Sequence, residues 1–97
     1  MSYMQLIEIE SPSYEELMKL HEQWRKDTEG ERTVVGEWIC EDRDRPGTYL
    51  IMVEFASVEA AAVNNDLPAT ARIAQGLAAL ATRPIVFRNL NLLRHDE

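Results

Sequence analysis

Cysteine occurs once in this chain, at Cys40. A single thiol excludes an intrachain disulfide and any metal centre built on several cysteines. Basic residues are also short: ten Lys and Arg stand against 17 Asp and Glu, for a formal net charge of −7. Nucleic acid and anionic membrane surfaces both reward basic patches, and here the few cations are scattered rather than gathered. Neither is an expected partner. No apolar run approaches the roughly 20 residues that a bilayer span requires. The start, Met1-Ser2-Tyr3-Met4-Gln5, lacks the basic-then-apolar order of a signal peptide, so the cytoplasm is the expected compartment. Glycine and proline are limited to four each. No repeat, low-complexity tract or linker divides the sequence, and residues 1–97 read as one domain with a modest core.

What is present is ordinary globular material, 45% apolar and 28% charged. Tyr3 to Glu10 alternates around Leu6, Ile7 and Ile9 and reads as a strand. Ser11-Pro12-Ser13 stops it, and Ser13 with Glu16 forms a capping-box pattern. From Tyr14 to about Thr28, Leu17, Met18, His21 and Trp24 recur at helical spacing, and Gly30 supplies the stop. Arg32 to Asp42 is a second strand, and Pro46-Gly47 closes the polar turn after it. Thr48 to Phe55 is the clearest strand: Tyr49, Ile51, Val53 and Phe55 make one apolar face, and Thr48, Leu50, Met52 and Glu54 a mixed one. Ser57 can cap a helix beginning at Val58. Asn64-Asn65-Asp66 interrupts that helix, and Asp66 with Pro68 reads as a fresh start that carries Ile73, Leu77 and Leu80 to the core. Ile85 to Leu93 is the last strand.

This order predicts an α+β, ferredoxin-like split β-α-β fold: a four-stranded antiparallel sheet in the order 4-1-3-2 with the helices on one face. The Tyr49-Ile51-Val53-Phe55 face belongs under the helices. The other carries Leu50 and Met52 with Leu6, Leu90 and Leu92, an apolar patch unusual on a monomer. A second copy related by twofold symmetry would cover it, so a homodimer through the open sheet face is expected.

The strand Tyr49-Leu50-Ile51-Met52-Val53-Glu54-Phe55, the helix start Ser57-Val58-Glu59-Ala60-Ala61, the interrupted second helix and the closing strand from Pro84 to Leu93 resemble the dimeric α+β barrel proteins. That superfamily includes the antibiotic-biosynthesis monooxygenase-like domains, and the resemblance covers nearly the whole chain. Residues Asp42 to Tyr49 and Pro84 to Leu90 look like those of a small bacterial subgroup within it, whose members imply no particular reaction. The superfamily holds cofactor-free oxygenases, haem-degrading enzymes, isomerases and ligand sensors, so fold alone implies little about chemistry. This chain has no histidine in its second helix, which disfavours haem degradation. No cofactor is expected.

The resemblance implies a small-molecule pocket between the helices and the sheet. His21 is the weak catalytic candidate: it could serve as a general base or a ligand, or be a core-edge histidine bonded to backbone. No second histidine or carboxylate stands at metal-ligand spacing from it, so no metal is expected. Trp24, Trp38, Tyr49 and Phe87, with His21, are the candidate ligand-binding set, although their spacing is also that of core packing. Asn64, Asn65, Asn89 and Asn91 are the available amides, with helix capping the alternative role for the first two. Glu8, Glu54 and Arg88 read as an ion cluster fixing dimer register, or as a polar site. Cys40 reads as inert packing, and Glu29, Glu31, Glu37, Glu41 and Asp42 as a solvated acidic face. Two functions follow. One is a dimeric protein binding a small organic molecule in the helix–sheet pocket without assured catalysis. The other is a cofactor-independent monooxygenase or isomerase acting on an aromatic or polyketide-like substrate.

Overall fold

The computed structural model describes residues 2–97. They form β1 (Tyr3–Glu10), α1 (Tyr14–Asp27), β2 (Val34–Glu41), β3 (Thr48–Phe55), α2 (Val58–Asn65), α3 (Pro68–Leu80) and β4 (Val86–Asn91). The strands make one antiparallel sheet ordered β2-β3-β1-β4, which is the expected 4-1-3-2 order read from the opposite edge. Among the described residues no helix is long and apolar enough to cross a membrane.

Local chemistry sets the element ends. Ser13 Oγ accepts the Glu16 N–H at 3.2 Å and Ser57 Oγ accepts the Ala60 N–H at 3.0 Å, each satisfying a free donor of a first helical turn. Gly30 and Gly47 take φ of 82° and 88°, a left-handed conformation that side chains with a Cβ disfavour. The restart of the second helix differs from expectation. Asp66 stays in the right-handed helical region as the C-cap of α2, and Leu67 caps α3 with no side-chain bond. The reason is Pro68, which forces its predecessor into an extended conformation, so Leu67 and not Asp66 makes the turn.

Beneath the helices, Tyr49, Ile51, Val53 and Phe55 are all buried, with Ile9 beside Tyr49 in the sheet and Leu17, Ala61 and Leu77 closing over them. Removing a side chain such as Ile9, Leu17 or Phe55 from water contributes about 1.5–3 kcal/mol. Gly76 lets α3 press on α1: a Cβ there would meet Leu20 Cδ1 at 2.9 Å.

Among the described residues no helix packs on the other face of the sheet. It carries Met4, Leu6, Leu50 and Met52, with Leu90 on the edge strand. Trp38 lies here as well, opposite Met52 and 46% exposed, rather than on the helix side. A bulge causes this. Val34 pairs with Phe55 and Gly36 with the adjacent Glu54, leaving Val35 as an extra residue that inverts the alternation of everything after it. Cys40, opposite Leu50, is exposed on this face and is not core packing.

Candidate functional site

The same bulge that turns Trp38 outward turns Glu37 inward. Glu37 pairs with Val53 on the helix side, where its side chain is only 11% exposed. It is thus not part of a solvated acidic face. Helical spacing on α1 brings His21 and Trp24 to meet it, and the break between α2 and α3 brings Asn64 and Thr70. Between them lies a cleft of about 80 Å³ with apolar walls that include Ile7, Ile51, Val53, Phe55 and Ile73. It shares Gln5, Ile7, Thr70 and Ile73 with a neighbouring hollow of about 270 Å³ that reaches Phe87 at the sheet edge.

Two of the five expected ligand-binding residues, His21 and Trp24, line the cleft, and Phe87 lines the outer hollow. Tyr49 stays apart, packed with Ile9, Leu17 and Leu77 and with the Tyr14 ring at 5.4 Å. Trp38 is on the other side of the sheet, where with Met4, Met52, Glu54 and His95 it borders a shallow hollow of about 230 Å³.

Polar groups in the cleft divide into satisfied and unsatisfied. Trp24, 6% exposed, donates its Nε1–H to Thr70 Oγ1 at 3.1 Å, tying α1 to α3. Glu37 Oε1 accepts from Arg25 Nη1 at 2.8 Å and stands 3.6 Å from His21 Nε2. The His21 side chain is 14% exposed and faces the Glu37 carboxylate at a separation beyond hydrogen-bonding distance. Its ring lies 5.8 Å from that of Trp24. Asn64 is only 4% exposed, and its Oδ1 is sealed from solvent with no hydrogen-bond partner. Asn64 is therefore no helix cap: Ser57 does that work for α2, and Asn64 faces the interior. An amide oxygen left in this state costs about 1–3 kcal/mol.

Glu8, Glu54 and Arg88 share the open face of the sheet, but within the chain they make no ion pair with one another among the described residues. Glu8 pairs with Arg45 of the β2–β3 turn at 3.3 Å, while Arg88 sits opposite Leu6, two strands away from Glu54 and out of register with it. Arg45 also bonds Asp42 at 2.9 Å, and this contact, followed by the Asp44 backbone N–H, holds the Asp42 carboxyl below its ordinary value. Among the described residues no three His, Cys, Asp or Glu side chains gather in a group able to hold a metal ion.

No protein-family model matches the sequence, and no curated protein matches it. Solved structures do. Rv0793 from Mycobacterium tuberculosis superposes with a TM-score of 0.82 at 16% identity, over 100% of both chains. SnoaB, a cofactor-independent oxygenase from Streptomyces nogalater, superposes at 0.81 and 13% identity over 97% of this chain and 95% of its own. A protein solved as an antibiotic biosynthesis monooxygenase gives 0.74 and 12% over 95% and 99%. Likeness at such low identity is likeness of fold: this chain has the ferredoxin-like α+β fold of the antibiotic biosynthesis monooxygenase structures.

Proposed function

We propose that this protein binds a small organic molecule in the cleft between α1, α3 and the helix-facing side of the sheet, and that it does so as a homodimer. The observation that carries the binding reading is Asn64 Oδ1, a buried acceptor at an apolar cleft with nothing to accept from. Folded proteins pair such atoms, so an unpaired amide beside the cleft supports a bound molecule, ligand or water, that completes it. Apolar walls with few convergent polar groups are the usual composition of a ligand site. Dimerisation is supported by the uncovered face of Met4, Leu6, Leu50 and Met52, beside which Trp38 is 46% exposed.

The binding reading is tested by a thermal-shift screen of small aromatic compounds on the wild type and on Asn64→Leu. A compound that stabilises the wild type and leaves the variant unmoved supports it. Compounds that stabilise both equally bind elsewhere and contradict it.

A second reading is favoured by the His21–Glu37 contact and by the likeness to SnoaB: cofactor-independent oxygenation or isomerisation of an aromatic or polyketide-like substrate. His21 is then the proton acceptor and the apolar walls hold the ring. Oxygen consumption with a hydroxylated aromatic substrate and no added cofactor, lost in His21→Gln, supports it. Turnover that survives the substitution removes His21 from that role.

A further inference from the structure

On the open face the strand registers lay out a block of six side chains from β3, β1 and β4. One row reads Glu54, Met4, Leu90 and the next Met52, Leu6, Arg88. Apolar side chains fill the middle of this block, and its two charges stand at opposite corners. Glu54 is half-buried and Arg88 exposed, and among the described residues neither makes an ion pair. Two strand spacings and two residues of rise hold them roughly 12 Å apart in the plane of the sheet, with β1 side chains between them. Neighbouring charges are already engaged. Glu8 meets Arg45 at 3.3 Å, and Arg94, which borders the hollow beside Glu54, holds Asp96 at 2.8 Å. His95 borders that hollow as well and makes no ion pair among the described residues.

We infer that this block is the centre of a self-complementary interface between two copies of the chain, in which Glu54 of each protomer pairs with Arg88 of its partner. The inference rests on the homodimer reading above and fixes its register. An isologous contact requires that if one residue meets a second, the second meets the first. A twofold axis between two such sheets, passing over β1 between Met4 and Leu6 and square to the Glu54–Arg88 diagonal, exchanges the two corners. Glu54 then lies over the partner's Arg88, and Arg88 over the partner's Glu54. Met4, Leu6, Met52 and Leu90 meet their counterparts around the axis. Any protein surface that covers these four takes both charges out of water, and a charge left unpaired there is costly. A second copy supplies each missing mate at the required corner. The guanidinium can grip a carboxylate through two N–H donors, which fixes angle as well as position. Because the pair occurs twice, a shifted register forfeits both together.

The test exchanges the charges. Glu54→Arg places like charges at both corners of a homodimer, and so does Arg88→Glu. Each variant alone is expected to dimerise roughly tenfold or more weakly than the wild type, the usual consequence of facing like charges across an interface. Mixed in equal amounts, the two variants face opposite charges at both corners and form a heterodimer. The double variant Glu54→Arg/Arg88→Glu faces opposite charges again and recovers the homodimer. Sedimentation equilibrium reads the dissociation constants, native mass spectrometry distinguishes the heterodimer, and circular dichroism confirms that each single variant is folded. A dimeric wild type whose single variants dissociate no more readily overturns the register and leaves the homodimer standing. Weakened single variants that recover neither in the mixture nor in the double variant overturn the pairing in the same way. A wild type that stays monomeric at micromolar concentration overturns both readings and gives the face to a different partner.

Discussion

Trp24 and Thr70 are joined across 3.1 Å by the indole Nε1–H and the threonine hydroxyl, a side-chain hydrogen bond that ties α1 to α3 in the wall of the cleft. It matters because the indole is only 6% exposed. Thr70→Val keeps the shape and removes the acceptor, leaving a buried donor unpaired. The expected loss is about 1–3 kcal/mol, read from urea unfolding, with a marked change in the Trp24 indole proton resonance.

Asn64 has the opposite balance. Its Oδ1 is already unpaired in the folded chain, so replacing the residue with leucine removes an unsatisfied group rather than a satisfied one. Asn64→Leu is expected to leave unfolding stability unchanged or to raise it by about 1 kcal/mol. Ligand-induced stabilisation disappears in the same variant. Thermal denaturation with and without ligand checks both halves. A stabilising substitution that destroys binding marks a residue kept for function rather than for folding.

The homodimer has its own test on the far side of the sheet. Met52 sits between Leu6 and Trp38 on the uncovered face. Met52→Lys places a charge in the middle of that patch, and the expected product is a folded monomer with unchanged circular dichroism. Light scattering on the eluting protein reads the mass. A wild type that is already monomeric at micromolar concentration removes the dimer from the account.

Much of the fold was legible in the sequence because its signals were local and redundant. Alternation in Tyr49–Phe55, serine caps at Ser13 and Ser57, and glycine at positions 30 and 47 each act within a few residues, and all agree with one topology. The cleft was legible only in part. Helical spacing put His21 beside Trp24, but strand β2 misled because its parity changes at Val35, and a bulge leaves no reliable mark on the residues themselves. One inserted position sent Trp38 to the open face and Glu37 into the cleft. Gly36 is the nearest thing to a warning: the Trp38 ring lies along the strand where a Cβ would stand, 3.2 Å from Cη2. Asn64 was one of four candidate amides and could not be singled out from them. An asparagine near a helix end is ordinarily a cap, and only the burial of its amide distinguishes it.

The turn between β2 and β3 gives a pH-dependent expectation. Asp42 is held below its ordinary value, first by the Arg45 side chain and then by the Asp44 N–H. A depressed carboxylate contributes stability that is present above its unfolded value and is lost as pH falls through its folded one. Arg45→Gln returns the Asp42 carboxyl toward its ordinary range, which a carbon-detected NMR titration reads directly. The same substitution frees Glu8, and because the cluster is exposed its effect on global stability is small.

The central claim is that function lies on the helix side of the sheet, in the cleft bounded by His21, Trp24, Glu37 and Asn64. Its most direct test is a two-dimensional amide NMR titration of the whole chain with an aromatic compound that stabilises the wild type in the thermal-shift screen. The account predicts shift changes concentrated at His21, the Trp24 indole, Glu37, Asn64 and Thr70, and none at Trp38, Met52 or Leu90. Changes confined to those last three residues, or no saturable change at all, would contradict it.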